Sequence, residues 1–288
     1  MRPASIVAFA VAFWTSVAPA KTQEEIFRSS IVVPIPRGEN IVTKRGIGYG
    51  SADATQRADI YRPAGAKRVG AVVFIHGGFP EIPGLHGRES GQYQSWGRLI
   101  AASGLAAVTF DHRLRVGSNG AMHVEEAVSD AKTLLSWLRT HGGEHSIDPD
   151  RLCLFAVSAG GPLLAASAAG ASGIRRLVDY YGFADVHGVA MFANGVAPDR
   201  ASELSLVDLL GAARLPPLLV ARAGRDAVPQ MKESIDRFVT RALAADAELT
   251  LLDHANGPHA FDVLDDSART REIIDATVTF LRANLSRI

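Results

Sequence analysis

The sequence predicts an α/β fold with a mostly parallel central sheet, helices on its faces and a small cap. Two patterns along the chain indicate this fold class. Short, continuous apolar runs, which are typical of strands buried on both faces, alternate with segments of helical periodicity. Strands that alternate with helices are joined by crossover connections, which place neighbouring strands in parallel. Ligands of such sheets bind beyond the carboxyl ends of the strands, so we expect a site there.

Eight apolar runs account for the predicted sheet. The first two form an opening pair with polar residues at intervals, and the later ones are nearly continuous, as in V-G-A-V-V-F-I at 69–75. The predicted strands span 41–48, 58–61, 69–75, 105–110, 152–157, 177–181, 218–223 and 249–252.

The clearest predicted helix runs over 124–139, between the fourth and fifth strands. Its apolar residues recur at the spacing of a helix that covers a sheet, and Gly142-Gly143 ends it. Further helices are predicted at 162–170 and 230–244. A last helix closes the chain, with inward-facing residues at Ile274, Val278, Leu281 and Leu285.

Length and composition exclude several classes of protein. The chain has 288 residues, which is long enough for one domain with a large core. Its formal net charge is zero, which argues against a nucleic-acid partner because such a partner requires a basic face. A single Cys excludes an intramolecular disulfide framework and a multi-cysteine zinc site.

The first 20 residues resemble a secretory signal peptide. Arg2 precedes an apolar stretch over 6–17, and Ala18-Pro19-Ala20 provides the small residues of a cleavage site. A membrane anchor is the alternative, but the stretch is too short to cross a bilayer. We therefore expect a mature chain of residues 21–288, forming one domain, without a membrane span and located in the periplasm or secreted.

The strongest chemical motif is the turn around Ser158. An apolar strand runs directly into this serine, and a helix of small residues follows. A nucleophilic serine on such a strained turn needs small residues two positions before and two after it, and these are Ala156 and Gly160. The alternative is an ordinary packed turn between a strand and a helix.

A nucleophilic serine also needs a base and an acid that orients the base. His259 follows the predicted strand at 249–252, and Asp226 follows the strand at 218–223. Both therefore lie at the sheet edge where Ser158 is expected, in the chain order Ser, Asp, His.

Other residues compete for these roles. His254 is a second candidate base, while Asp253 and Asp262 are further candidate acids. The last of these lies only three residues from His259, which favours a local hydrogen-bonding role. The pair His141 and His145 has the spacing of metal ligands, but the glycines between them break the helix that would align the two side chains. No metal site is predicted.

A third element of the site is the turn His76-Gly77-Gly78, directly after the strand at 69–75. An acyl-transfer site needs backbone N–H groups that bind the developing oxyanion. The candidate donors are Ala159, next to the serine, and Gly77 or Gly78. His76 itself is expected to be structural.

Taken together, these motifs resemble the α/β-hydrolase superfamily. The resemblance is closest to the esterase and dienelactone-hydrolase-like group, which is similar to hormone-sensitive-lipase-type carboxylesterases, and it covers about residues 40–285. Dienelactone hydrolases use a Cys nucleophile, whereas Cys153 lies inside the strand before Ser158. The motifs are H-G-G at 76–78, F-D-H-R-L at 110–114, I-D-P-D-R-L at 147–152, V-S-A-G-G at 157–161, A-G-R-D at 223–226 and G-P-H-A-F-D at 257–262.

The resemblance implies an exported serine hydrolase that cleaves a small-molecule carboxylic ester, without a cofactor. A peptidase or amidase of prolyl-oligopeptidase type and a non-catalytic binding protein are the alternatives. Specificity is expected from two irregular stretches, 79–94 and a small cap at about 183–213. We further expect Asp111 and Arg113 to form an ion pair that braces the oxyanion turn.

Overall fold

The computed structural model describes residues 22–35, 40–50, 55–78, 85–117, 120–193, 195–212 and 215–285. The predicted signal peptide, residues 1–20, and part of the irregular stretch, residues 79–84, lie outside the described residues. Within the described residues, no helix combines the length and apolar character needed to cross a membrane.

Eight strands form one sheet: β1 (Ile41–Gly48), β2 (Arg57–Pro63), β3 (Val69–Ile75), β4 (Ala106–Phe110), β7 (Ile147–Val157), β8 (Ile174–Tyr180), β9 (Leu218–Ala223) and β10 (Leu249–His254). Their order across the sheet is β1-β2-β4-β3-β7-β8-β9-β10. The β1–β2 and β2–β4 pairs are antiparallel, and the other neighbours are parallel. The prediction of a mostly parallel sheet is therefore confirmed.

A short hairpin that the sequence did not predict stands apart from the sheet. Its strands β5 (Arg115–Val116) and β6 (Met122–His123) have two residues each and pair antiparallel. Runs this short carry no periodic signal, which explains why they were missed.

Helices cover both faces of the sheet. They are α1 (Gln23–Arg28), α2 (Gly91–Ala102), α3 (Glu125–His141), α4 (Gly161–Ala168), α5 (Ala190–Ala193), α6 (Pro198–Ala201), α7 (Leu206–Ala212), α8 (Met231–Ala244), α9 (Phe261–Leu264) and α10 (Ala268–Leu285). Three short helices, α5 to α7, occupy the segment between β8 and β9 where a cap is predicted.

The core consists of two apolar clusters, one on each face of the sheet. Side chains alternate between them along each central strand: Val73 belongs to one cluster, while Val72 and Phe74 belong to the other. Because both faces are covered, the central strands are apolar throughout, which is the pattern that predicted them. The parallel strands end at a common edge, where their loops carry the polar residues described next.

Candidate active site

Ser158 lies immediately after β7, at the start of a tight turn. Its φ is +54°, a left-handed conformation that costs free energy in a residue with a Cβ. The turn fits closely against β3, because a Cβ on Gly160 would lie 2.7 Å from the carbonyl oxygen of Ile75. Ala156, two residues before the serine, is completely buried. The small residues predicted around Ser158 are thus required by the space available.

Ser158, His259 and Asp226 form a continuous hydrogen-bonded chain. The Oγ of Ser158 is 3.0 Å from Nε2 of His259. The other ring nitrogen, Nδ1, is 2.8 Å from Oδ2 of Asp226. Three residues from loops after β7, β9 and β10 therefore meet at one edge of the sheet, in the arrangement of a nucleophile, a base and an orienting acid.

The carboxylate of Asp226 is fixed at both oxygens. Its side chain is only 1% exposed, and Oδ1 accepts a hydrogen bond of 2.9 Å from the backbone N–H of Val228. The two loops also bind each other, since the N–H of Arg225 donates to the carbonyl of Gly257 over 2.9 Å. These contacts fix the position of the Asp226 carboxylate relative to the imidazole of His259.

The competing residues have other partners. Asp253 pairs with Arg222 at the surface. His254 is 2.7 Å from Asp265 through Nε2 and also contacts Thr270. Asp262 accepts hydrogen bonds in the interior from three side chains, which are Gln92, Trp96 and Tyr181.

The oxyanion turn packs directly on Ser158. A Cβ on Gly77 would lie 2.8 Å from Cβ of Ser158, whereas a Cβ on Gly78 would meet nothing within 4 Å. A side chain at position 77 would therefore clash with Ser158.

Two buried histidines support the same turn. His76 stacks on His112 with ring centroids 3.6 Å apart, and Nε2 of His112 is 3.1 Å from the carbonyl oxygen of His76. Burial lowers the pKa of both imidazoles. The interpretation of His76 as a structural residue agrees with these contacts.

The expected ion pair between Asp111 and Arg113 is corrected by the structure. Asp111 pairs instead with Arg88, which comes from the irregular stretch before α2. Arg113 pairs with Asp130 of α3, with 2.7 Å between Nη2 and Oδ1. Each of the two side chains has a partner from a distant part of the sequence, so their spacing along the chain did not predict the pairing.

The remaining candidates lie away from this edge or are packed in the interior. The ring of His141 stacks on Trp137, and the ring of His145 lies tilted against the same tryptophan, 5.2 Å away between centroids. Cys153 is fully buried in β7, and burial raises the pKa of its thiol. In the described part of the chain, no group of three or more His, Cys, Asp or Glu side chains is arranged to hold a metal ion.

One neighbour of the imidazole was not identified from the sequence. The ring of Tyr181 lies 4.8 Å from the His259 ring, measured between centroids, in a T-shaped arrangement. Tyr181 follows β8 with a φ of +38°. The only sequence signal is its position between an apolar strand and Gly182, at the same sheet edge as the serine.

Comparison with known proteins places these features in a family context. Residues 58–215, more than half of the chain, match the model of the BD-FAE family. The quorum-quenching protein AidA of Acinetobacter baumannii is 24% identical over 169 residues. That match covers 57% of this chain and 52% of AidA, so the chain corresponds to about half the length of this relative.

Solved structures with the same fold include esterases. Esterase B from Lactobacillus rhamnosis, inhibited by a C4-C4 SN3 tributyrin phosphonate, has a TM-score of 0.71 and 18% identity, with 98% of this chain and 96% of that chain covered. A bacterial esterase of the hormone-sensitive lipase family has a TM-score of 0.67 and 20% identity, with 98% and 97% covered. The α/β-hydrolase fold implied by the sequence motifs is confirmed.

Proposed function

The chain belongs to the BD-FAE family, and we propose that it is a serine hydrolase that cleaves carboxylic esters through an acyl-enzyme intermediate. The observation that carries the proposal is the hydrogen-bonded chain from Ser158 through His259 to Asp226. Esterases with the same fold, one of them inhibited by a phosphonate, agree with this chemistry.

The proposed reaction begins at Ser158. Its Oγ attacks the ester carbonyl carbon while Nε2 of His259 takes the hydroxyl proton. The resulting imidazolium gives this proton to the leaving alcohol as the carbon–oxygen bond of the ester breaks. Asp226 holds the proton on Nδ1 and stabilises the imidazolium. A water molecule, deprotonated by His259, then releases the acid and restores the serine.

Backbone N–H groups stabilise the negative charge on the carbonyl oxygen in both tetrahedral intermediates. Ala159 supplies one donor, and Gly77 or Gly78 supplies the second. Each such donor typically lowers the barrier by about 2.7–4 kcal/mol. The absence of a Cβ at Gly77 lets the turn approach the serine closely enough for this geometry.

The direct test is hydrolysis of p-nitrophenyl acetate by Ser158→Ala. We expect loss of activity to the uncatalysed background, because the nucleophile is removed. Ser167→Ala is a matched control: Ser167 is also buried, on α4, and its hydroxyl has no hydrogen-bond partner among the described residues. Near-wild-type activity of Ser158→Ala would contradict the assignment.

The competing functions are separated by two further arms of the same experiment. An aminoacyl p-nitroanilide that is cleaved faster than the short esters would favour a peptidase. Folded wild-type protein that takes no label from a fluorophosphonate probe would favour a binding protein, since labelling requires an activated serine.

We also propose that the chain is exported after cleavage behind Ala20. The motif over residues 1–20 supports this proposal. Helix α1 begins shortly after the predicted cleavage site, with Thr22 as its N-cap in a capping box with Glu25. N-terminal sequencing of protein recovered outside the cytoplasm is expected to begin at Lys21; protein that retains Met1 there would contradict the proposal.

A further inference from the structure

The buried pair Tyr181 and Asp262 lies directly behind His259. The Tyr181 hydroxyl donates a hydrogen bond of 2.6 Å to Oδ1 of Asp262, and its ring contacts the His259 imidazole. Burial raises the pKa of Tyr181 well above its usual range, so its hydroxyl keeps its proton and remains a donor. Asp262 is completely inaccessible to solvent.

Helix α2 anchors this pair. Nε2 of Gln92 lies 2.9 Å from Oδ2 of Asp262 and 2.8 Å from the Tyr181 hydroxyl. Nε1 of Trp96 donates to the same carboxylate oxygen over 2.9 Å. Gln92 and Trp96 are four residues apart and so lie on one face of α2. The carboxylate therefore has a fixed position relative to the sheet.

Tyr181 contacts three of the four residues in the segment 259–262, which begins with His259. It meets His259 and Phe261 through its ring, with a centroid distance of 5.4 Å to Phe261, and Asp262 through its hydroxyl. Between them, Ala260 has a φ of +56°. A residue with a Cβ is strained in the left-handed conformation, so the surrounding contacts must stabilise it. Tyr181 provides such contacts on both sides of Ala260.

The hydrogen bond to Asp226 acts on Nδ1, whereas the atom that faces Ser158 is Nε2, on the other side of the ring. A small rotation about the side-chain torsions of His259 displaces Nε2 relative to Ser158, so the packing beside the ring affects this distance. The side chain of Tyr181 occupies space beside the ring and limits that rotation. Its own left-handed backbone, with φ of +38°, is a strained conformation of the kind that clusters at functional sites.

We propose that Tyr181, tethered through Asp262 to α2, is a positioning residue that keeps Nε2 of His259 within hydrogen-bonding reach of Ser158. This rests on the proposed function, in which His259 transfers the proton of the serine. Proton transfer depends steeply on such placement, since a displacement of about 1 Å costs up to about 10²-fold in rate.

The test compares two adjacent buried tyrosines. Tyr181→Phe removes the tether to Asp262, and Tyr180→Phe removes a similar hydrogen bond, of 2.7 Å, to Thr277 of α10. Each variant keeps its ring and loses one buried hydroxyl. For wild-type and variant proteins, we measure the thermal midpoint together with the maximal rate and half-saturating concentration of inactivation by a fluorophosphonate.

We expect Tyr181→Phe to lower the maximal inactivation rate about tenfold at an unchanged half-saturating concentration, because the serine is less well activated while probe binding is retained. Tyr180→Phe is expected to keep the wild-type rate. Equal rates for both variants and the wild type, or an equal loss in both variants, would overturn the proposal, since the pair would then contribute only stability.

Asp262→Asn provides a second, independent variant if Tyr181→Phe does not fold. It keeps the shape of the side chain but weakens the acceptor, so we expect a lower inactivation rate here as well. An Asp262→Asn protein that is folded and labelled at the wild-type rate would overturn the tether. Wild-type protein that takes no label would instead overturn the proposed function, so the two failures are distinguishable.

Discussion

At the scale of single residues, the site depends on how each polar side chain is paired. Asp226 follows β9, and Asp253 lies in the neighbouring strand β10. Only Asp226 is buried against the imidazole, and its second carboxylate oxygen accepts a hydrogen bond from the backbone N–H of Val228. The side chain of Asp253 is 44% exposed and pairs with Arg222. Surface pairs of this kind contribute little free energy.

Exchange of each aspartate for asparagine should therefore have very different effects. Asp226→Asn places an amide where Nδ1–H needs an acceptor, which favours the wrong tautomer or orientation of His259, and we expect kcat to fall by about 10³-fold or more. Asp253→Asn is expected to keep the wild-type kcat. Steady-state hydrolysis of p-nitrophenyl acetate measures both. A wild-type kcat for Asp226→Asn would show that the orienting acid lies elsewhere.

At the scale of elements, close backbone packing links the serine turn to the segment after β8. The N–H of Phe183 donates to the carbonyl of Ser158 over 3.2 Å. At the start of α4, a Cβ on Gly161 would lie 2.4 Å from the carbonyl oxygen of Phe183. Backbone atoms cannot move aside as a flexible side chain can, so this contact requires glycine at 161.

Gly161→Ala is accordingly expected to lower the free energy of unfolding by about 1–3 kcal/mol, the typical cost of overpacking. Gly143→Ala is the control, because its Cβ would enter open space and its φ is not in the left-handed region. Urea unfolding followed by far-UV circular dichroism measures both variants. Equal stabilities of the two variants would refute the packing argument.

The elements differ in how far the sequence predicted them. The buried strands were predicted because burial on both faces leaves a continuous apolar run, as in β3. Ser158 and Asp226 were predicted because each follows such a run. His259 follows β10, which is an apolar run in the sequence but an edge strand with only partial burial in the structure. By contrast, the partners of Asp111 and the role of Tyr181 depend on α2 and the segment before it, which approach from distant parts of the sequence. Spacing along the chain carries no information about such contacts.

At the scale of the whole molecule, one completely buried carboxyl group has no hydrogen-bond partner in the described part of the chain. Asp179 of β8 is completely buried, beside Ala156 of β7 and Val220 of β9 in the sheet register. Neither of its carboxyl oxygens has a hydrogen-bond partner among the described residues. Burial raises its pKa from 3.8 to about 7, since an ionised carboxylate without partners is costly in an apolar interior.

This shift makes the stability of the fold depend on pH. Below the ordinary pKa, the carboxyl group is protonated in both the folded and the unfolded chain. As the pH rises toward about 7, the unfolded chain ionises while the folded protein keeps its proton, so the free energy of unfolding decreases. Above the folded-state pKa both forms are ionised and the loss is complete.

Removing the charge should remove this pH dependence. Between about pH 5 and about pH 8, we expect the wild type to lose about 3 kcal/mol of unfolding free energy relative to Asp179→Asn, measured by urea unfolding at several pH values. Asp130→Asn is the matched control, because Asp130 is equally buried but binds Arg113 and Gln56. Its replacement leaves the Arg113 guanidinium without that carboxylate, so this variant is expected to be less stable than the wild type at about pH 8. The prediction would be contradicted if the unfolding free energies of the wild type and Asp179→Asn changed in the same way across this pH range. Asp179 would then have a partner in the folded protein, and the fold would carry no uncompensated charge at this position.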